Sequence, residues 1–312
     1  PIRKFWRRYH LTKIFLILGL SASLFVGVYL FALAKSTNVT DLQNALKTRT
    51  VIFDREENEA GALSGQKGTY VELSEISEDL QNAVIATEDR SFYKNDGINY
   101  GRFFLAIITA GRSGGGSTIT QQLAKQLFHK EKTRGLARYT QKIKEWVIAT
   151  RLEKQYTKEE ILAMYFNIYD FNNNADGIRS AAKIYFDKEP KNLKIEEGAM
   201  LVGMFKNSAL YNPVKNKVGV TNRRNVVLAQ MAKNNYITQE EKDSLQKLPL
   251  KIKFTPESHN DGLATYFREY LRTYMKTWIE NNPKPDGTKH NLYLDGLKVY
   301  TTIDSKMQAY AE

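Results

Sequence analysis

One long stretch without any charged residue limits the possible folds of this chain more than any other feature. It runs from Ile14 to Ala34, and a helix needs about twenty apolar residues to cross a bilayer. Basic residues precede it: Arg3, Lys4, Arg7, Arg8 and Lys13. Because positive residues stay on the cytoplasmic side, the sequence predicts a cytoplasmic tail at residues 1–13 and a retained single-pass anchor at residues 14–34, with the rest of the chain outside.

A cleaved signal peptide is the alternative to an anchor. Ala32-Leu33-Ala34 resembles a small-residue cleavage site. The apolar core of a signal peptide is usually shorter than this stretch, however. The length therefore favours the anchor.

The charge of the remaining chain is concentrated in one segment. The formal net charge of the 312 residues is +12. Basic residues cluster at Lys125, Lys130, Lys132, Arg134, Arg138, Lys142, Lys144, Arg151, Lys154 and Lys158, opposed by Glu131, Glu145 and Glu153. Such a cluster suits nucleic acid, anionic lipid or a phosphorylated substrate. The predicted anchor favours the last two and argues against nucleic acid.

A run of glycines leads directly into a predicted helix start. Gly114-Gly115-Gly116 is followed by Ser117 and Thr118, and Thr118 with Gln121 fits a capping box. A helix N-terminus offers unpaired N–H groups to an anion, and Thr118, Gln121, Gln122 and Lys125 are predicted to lie along one face. The pattern favours a phosphate or pyrophosphate bearing a sugar. A nucleotide loop would need Lys and then Ser or Thr after the last glycine; a capped helix after a flexible loop is the simpler alternative.

Two glutamates are candidates for chemistry. Leu80, Val84 and Glu88 are spaced by four, which places Glu88 on an apolar helix face and makes it a candidate general base or acid; a helix-end ion pair is the alternative. Glu145 follows Arg138 and Lys142 on one face. One interpretation of the triplet is an anion-binding site, in which Glu145 could also hold a phosphate-bound divalent cation such as Mg²⁺ or Mn²⁺. The alternative is an ordinary series of surface ion pairs along the helix.

The rest of the pattern predicts a mainly α-helical chain with short strands at residues 51–53 and 69–71. The predicted helices are Ser77–Phe92, Thr118–Phe128, Ala137–Gln155, Lys158–Tyr169, Gly177–Phe186, Ile195–Phe205, Thr221–Asn234 and Gly262–Glu280. Asn291–Ile303 is predicted to be a hairpin turning at Asp295-Gly296. Tyr100–Gly111 is either a membrane-surface helix or a buried core helix.

Several ordered motifs resemble those of the family 51 peptidoglycan glycosyltransferases. They are Glu88-Asp89-Arg90-Ser91-Phe92-Tyr93, the segment Gly115–Lys125, Lys142-Ile143-Lys144-Glu145, Lys158-Glu159-Glu160-Ile161-Leu162 with Tyr165-Phe166-Asn167, and Ala181-Ala182 with Tyr185-Phe186. The tail Gly296–Asp304 resembles the entry to the transpeptidase domain of bifunctional class A penicillin-binding proteins. The resemblance covers the chain from the anchor onward.

The resemblance implies a lysozyme-like fold and polymerisation of lipid II with inversion. Glu88 matches the catalytic base, Lys125 the lysine on the donor pyrophosphate, and Glu145 the second motif glutamate. Substrate-contacting positions match Ser117, Thr118 and Gln122, and cleft-shaping ones match Asp89 and Phe92. The implied partners are lipid II, the growing glycan chain, membrane lipid and regulators of cell-wall synthesis, at the bacterial cytoplasmic membrane with the catalytic domain on its outer side.

The chain departs from the family pattern at a few positions. Asn95 and Asn99 stand where the family usually carries His and Asp, and Gln141 replaces an arginine. We therefore expect phosphate contacts to shift to Lys142 and Arg138.

The resemblance also divides the chain. The predicted segments are a connector at 35–75, the glycosyltransferase domain at 76–247, and a linker at 248–312 toward a transpeptidase domain. Two other functions remain as alternatives. A membrane-anchored muramidase or lytic transglycosylase would use paired acids to cleave glycan, and a membrane scaffold would bind anionic lipid without catalysis. Neither requires a cationic face around Lys125 together with Glu88 on an apolar face.

Overall fold

The computed structural model describes most of the chain, and its described part is mainly α-helical, as predicted. The described residues are 10–36, 39, 42–47, 50–63, 70–101, 116–128, 136–173, 175–255, 264–285, 289–290, 292 and 295–312.

The helices follow the predicted order with small shifts at their ends. They are α1 (Leu11–Ser36), α2 (Leu42–Lys47), α3 (Glu78–Glu88), α4 (Ile119–Phe128), α5 (Leu136–Gln155), α6 (Lys158–Ile168), α7 (Gly177–Phe186), α8 (Ile195–Met204), α9 (Lys217–Lys233), α10 (Gln239–Lys247), α11 (Thr265–Asn281) and α12 (Ser305–Ala311). Short 3₁₀ turns occur at Leu73–Glu75, Phe92–Lys94 and Pro190–Asn192.

Local capping explains where several helices begin. The Thr157 hydroxyl accepts from the Glu160 N–H, and the Glu160 carboxylate accepts from the Thr157 N–H, which closes a capping box at α6. Thr238 and Glu241 form the same box at α10. These side chains satisfy N–H groups that a helix start otherwise leaves without partners.

The helices between α3 and α10 share one apolar core, which we call the helical body (residues 70–255). Its packed pairs include α8 with α9, α3 with both of these, and α4 with α5 and α6. Asn167 ties the incoming chain to it, because its amide donates to the Val71 carbonyl at 2.8 Å and accepts from the Val71 N–H at 2.9 Å. Asn167 therefore fixes the segment that enters the helical body against α6.

A smaller unit is built from three strands and α11, and we call it the sheet unit. Strand β1 (Val51–Phe53) lies between β2 (Glu59–Ala62), which is antiparallel to it, and β3 (Lys298–Tyr300), which is parallel. Its separate apolar core contains Ile52, Ala60, Leu63, Leu271, Met275, Ile279 and Leu292.

One strand prediction is wrong, and the predicted hairpin is described only in part. The partner of β1 is β2, and Tyr70 and Val71 are not in a strand. The Glu-Ala-Gly-Ala sequence of β2 has no β-branched or aromatic residue, so its strand pattern is not visible. The strand after Asp295-Gly296 pairs with β1, whereas most of the preceding hairpin arm lies outside the described residues.

The N-terminal charge-free stretch lies within α1, and its large apolar side chains, such as Leu20 and Phe25, are exposed. Within the described ranges, no helix has the length and apolar character needed to cross a membrane. Most of the helix predicted at Tyr100–Gly111, namely residues 102–111, lies outside the described residues.

Candidate active site

Glu88 is the last residue of α3, and its side chain is only 15% exposed. Leu80 and Val84 on the same face are buried, as the spacing predicts. The Gln122 amide of α4 donates to Glu88 Oε2 at 3.0 Å. The Arg223 guanidinium of α9 lies 3.8 Å from Glu88 Oε1. One carboxylate is therefore held between an amide and a cation.

Gln122 is itself fixed by a second hydrogen bond. The Tyr165 hydroxyl of α6 donates to Gln122 Oε1 at 2.9 Å. Tyr165 is fully buried, and its ring stacks on Phe205 with centroids 4.7 Å apart. Burial, and then the charge of Glu88, raises the pKa of Tyr165 well above its ordinary value. The hydroxyl therefore remains a proton donor.

Arg223 is a site residue that sequence reasoning missed. Its Nε donates to the Gly203 carbonyl at 3.4 Å, and its guanidinium lies 5.9 Å from the Tyr211 ring centroid. A Cβ at Gly203 would come within 3.0 Å of the Arg223 Cγ, so the glycine makes room for this side chain. No spacing distinguishes Arg223 from the adjacent Arg224, which is buried away from the site and donates to the Leu248 carbonyl.

Asp89 joins the first motif to the N-terminus of α4. It is buried, and its Oδ2 accepts from the Ile119 N–H at 3.3 Å and from Asn95 Nδ2 at 3.0 Å. Its Oδ1 accepts from the Ser91 N–H at 3.2 Å. A negative charge is favoured at a helix N-terminus. The glycine-rich motif predicts an anion at the start of α4. At the Ile119 N–H, the anionic partner is the Asp89 carboxylate of the protein itself.

Thr118 and Gln121 hold the loop before α4. The Thr118 hydroxyl donates to the Gly97 carbonyl at 2.7 Å and accepts from the Gln121 N–H at 3.1 Å, while the Gln121 amide donates to the same carbonyl at 3.1 Å. Half of the predicted capping box is thus present. Both residues are buried, whereas Lys125 is exposed to solvent. The polar residues predicted to share one face of α4 therefore lie partly in the interior and partly at the surface.

Gly97 must be glycine for this loop to form. Its φ is +83°, and a Cβ there would lie 2.9 Å from the Glu153 Cγ. Glu153 pairs with Lys158 at 2.7 Å, and Lys158 donates to the Asn95 carbonyl at 2.6 Å. The Lys158 ammonium also lies 4.6 Å from the Phe92 ring centroid. Lys158, which the sequence analysis placed in the basic cluster and in one of the family motifs, therefore supports the loop.

Glu145, Lys142 and Ser117 form a second polar group. Lys142 Nζ donates to Ser117 Oγ and to Glu145 Oε2, each at 2.8 Å. Gln141, at the position of the family arginine, is buried and donates to Glu145 Oε1 at 3.3 Å. Both oxygens of Glu145 are thus bound by side chains of its own helix, α5. The side chain of Arg138, also on α5, lies outside the described residues.

The departures at Asn95 and Asn99 place amides where they bind the first motif. Asn95 is buried and donates to Asp89, as described above, and Asn99 Nδ2 donates to Ser91 Oγ at 2.7 Å. For the part of the chain that the structure describes, no group of three or more His, Asp or Glu side chains is arranged to hold a metal ion.

Comparison with known proteins identifies the family of this chain. The family model described as Transglycosylase matches residues 56–232. Penicillin-binding protein 2a of Streptococcus pneumoniae is 53% identical over 99% of this chain and 41% of that protein. Penicillin-binding protein 1A of Aquifex aeolicus is 34% identical over 95% of this chain and 40% of that protein. The chain thus spans about two fifths of the length of these relatives.

The chain also has a structural similarity to a solved protein. The crystal structure of penicillin-binding protein 1A from Haemophilus influenzae has a TM-score of 0.41 and 23% identity, over 85% of this chain and 28% of that one. That similarity is weak.

The chain belongs to the Transglycosylase family. This confirms the prediction, made from the motifs, that it is a family 51 peptidoglycan glycosyltransferase. Its domain is accordingly a peptidoglycan glycosyltransferase domain, and the glycan-cleaving alternative is not favoured.

Proposed function

We propose that this domain polymerises lipid II into glycan strands, with inversion at the anomeric carbon and release of lipid pyrophosphate. The observation that carries the proposal is the position of the segment 116–128, which bonds side chains of three other motifs. Gln122 bonds Glu88 and Tyr165, the Ile119 N–H bonds Asp89, and Ser117 bonds Lys142. One short segment therefore joins the candidate base to the candidate phosphate site.

Glu88 is suited to the role of general base. Its carboxylate accepts from one amide and lies near one guanidinium, and these contacts hold it in place at the end of α3. In the proposed reaction it takes the proton of the acceptor 4-hydroxyl as that oxygen attacks the anomeric carbon of the donor. The glycosidic bond forms as the bond to the pyrophosphate oxygen breaks.

Lys142 and Lys125 are suited to the pyrophosphate. An ammonium has three N–H donors, and the described contacts of Lys142 use two, with Ser117 and Glu145. Its side chain is 37% exposed, so the third donor can reach a phosphate oxygen. Lys125 is exposed on α4. Cations held in place before the reaction stabilise the charge that develops on the leaving group.

A divalent cation at Glu145 is proposed only in a restricted form. Glu145 is one carboxylate, and Lys142 and Gln141 already bind its oxygens. Mg²⁺ is usually bound by one or two carboxylates together with substrate phosphates and water. We therefore propose that a cation at Glu145 would be brought there by the substrate pyrophosphate.

The finer features of the setting are also proposals. The charge-free stretch 14–34 and the basic residues before it support a single-pass anchor with the N-terminus inside, and α1 contacts α5, the helix of Glu145. We further propose a lysozyme-like arrangement of the helical body and, in the whole protein, a following transpeptidase domain. Lipid substrates and regulators of cell-wall synthesis would then meet the domain on the outer face of the membrane.

Product analysis tests the reaction. The purified chain in detergent is incubated with fluorescent lipid II, and separately with preformed glycan. We expect ladders of long glycan from lipid II and no shortening of preformed glycan. Degradation of preformed glycan without ladders would overturn the proposal in favour of a muramidase. Lipid II bound but left unchanged would indicate a scaffold.

Kinetics of Lys142→Ala test the phosphate site. We expect a higher apparent KM for lipid II, with Lys144→Ala, two residues along α5, as the matched control. Arg138→Ala tests the second predicted phosphate contact in the same assay. Normal KM values in both Lys142→Ala and Arg138→Ala would refute a shift of phosphate contacts to these residues.

A further inference from the structure

We propose that Tyr165 is a positioning residue that sets which end of the Gln122 amide faces Glu88. The inference rests on the proposed function, because it gives Glu88 the role of base. It assigns Gln122 a role in holding that base, beyond the substrate contact that the family resemblance implies.

The chemistry of the amide makes its orientation decisive. A glutamine side chain has a donor end and an acceptor end, whereas an ionised carboxylate only accepts. Tyr165 donates to Gln122 Oε1 at 2.9 Å, and Gln122 Nε2 donates to Glu88 Oε2 at 3.0 Å. The two bonds are aligned, so each donor points toward the carboxylate charge. With the amide reversed, two oxygens would face each other at the same distance.

The surroundings keep this alignment in place. The Tyr165 ring is buried and stacked on Phe205 at an interplanar angle of 15°. Among the described residues, the groups with charge or a titrating proton around Glu88 are Arg223 at 3.8 Å and the hydroxyls of Tyr165 and Tyr169. The pKa values of both hydroxyls are raised, chiefly by burial and also by the Glu88 charge. Of these, only Tyr165 bonds the amide that contacts Glu88, among the described residues.

Tyr169 provides a matched control. It lies just beyond α6, its hydroxyl donates to the Met204 carbonyl at 2.6 Å, and its ring centroid is 4.5 Å from that of Phe205. Tyr169→Phe therefore removes a partly buried hydroxyl against the same aromatic neighbour. It does not change the contacts of Gln122.

The test compares steady-state kinetics of lipid II polymerisation. For Tyr165→Phe we expect kcat to fall roughly five- to tenfold, the scale of one lost hydrogen bond, with KM within about twofold. Tyr169→Phe should lower the Tm to a similar degree and leave kcat unchanged. In a Gln122→Ala background, Tyr165→Phe should cause no further loss, because the hydroxyl acts through the amide.

The outcomes separate this inference from the proposed function. If the wild type makes no glycan from lipid II, the proposed function fails. If the wild type is active and Tyr165→Phe keeps its kcat, or loses it equally with and without Gln122, the positioning role is refuted. If Tyr165→Phe does not fold, Gln122→Ala decides alone: a lower kcat at unchanged KM supports the role, and a higher KM at unchanged kcat overturns it.

Discussion

The helical body and the sheet unit are held together in different ways. In the helical body, buried polar side chains such as Asp89 and Asn167 bind backbone groups of neighbouring elements. In the sheet unit, distant parts of the chain pair: the Thr301 hydroxyl donates to the Phe53 carbonyl across a separation of 248 residues, and Arg55 pairs with Asp304 at the surface. The candidate site lies entirely in the helical body.

This difference has an energetic consequence. A buried donor or acceptor that loses its partner costs about 1–3 kcal/mol, whereas an exposed ion pair contributes about 0–1 kcal/mol. The helical body should therefore tolerate polar substitutions poorly. The sheet unit should depend mainly on its small apolar core.

The largest effect is expected at Asp89. Asp89→Ala leaves the Ile119 N–H and the Asn95 amide without their buried acceptor, so we expect a loss of about 3 kcal/mol or more in the free energy of unfolding. Activity should fall with it, because α4 loses its fixed position beside Glu88. Chemical denaturation measures the stability, with Asp96→Ala, an exposed neighbour, as control. Equal stability of the two variants would contradict the network.

A large effect confined to the sheet unit is expected at Leu271. Leu271→Ala removes a buried side chain from its core, which costs about 2–4 kcal/mol. Hydrogen exchange should show faster opening of β1 and β3, while protection of α4 and α6 stays the same. Tyr270→Ala, on the exposed face of α11, is the control. Loss of protection in α4 would mean that the two regions unfold as one.

A smaller effect is expected at the α6 cap. Thr157→Ala breaks the capping box with Glu160 and should cost about 1 kcal/mol. Because Tyr165 lies two turns along the same helix, we expect kcat to change little while the Tm falls. Thr157→Ser retains the hydroxyl and should restore the Tm. A fall in kcat as large as that expected for Tyr165→Phe would show that the helix start positions the site.

The smallest effect is a pH dependence of the sheet unit. The pKa of Asp54 is lowered, chiefly by the Ser305 hydroxyl, and that of Asp304 chiefly by the Met307 N–H. Their folded pKa values lie below the unfolded value, so their stabilisation is present above about pH 4 and is lost as the pH falls through the folded values.

Emission of Trp278, with Trp6 and Trp146 replaced by Phe, can follow the sheet unit in acid. We expect Asp54→Asn to be less stable than the wild type at pH 7 and to show a weaker response to acid. An acid response in Asp54→Asn equal to that of the wild type would show that Asp54 does not contribute to the pH dependence of the sheet unit.

The contrast between the regions also explains what the sequence could predict. The helices of the helical body carry local signals, such as the Thr157–Glu160 box and the spacing that places Glu88 on an apolar face. Strand β2 carries no such signal. The strand that contains β3 was predicted, but its pairing with β1, far away in the chain, was not. Local patterns identify helices and their faces, but they do not identify distant pairing.

The same limit applies within the candidate site. The motifs identified Glu88, Gln122, Lys142 and Glu145 by residue type, but not which of them share a hydrogen bond. Arg223 was missed because its role depends on the packing of α9 against α3. The inward direction of Thr118 could not be foreseen either, since it depends on the Gly97 carbonyl of a distant loop.

The central claim is that Glu88, held by α4, is the base of a polymerising glycosyltransferase. The most direct test is the initial rate of polymerisation of fluorescent lipid II by Glu88→Gln, measured together with lipid II binding, with Glu78→Gln in the first turn of α3 as control. The account predicts a rate loss of about 10²-fold or more in Glu88→Gln, with binding retained, and a normal rate in Glu78→Gln. Glycan ladders formed by Glu88→Gln at the wild-type rate would contradict it.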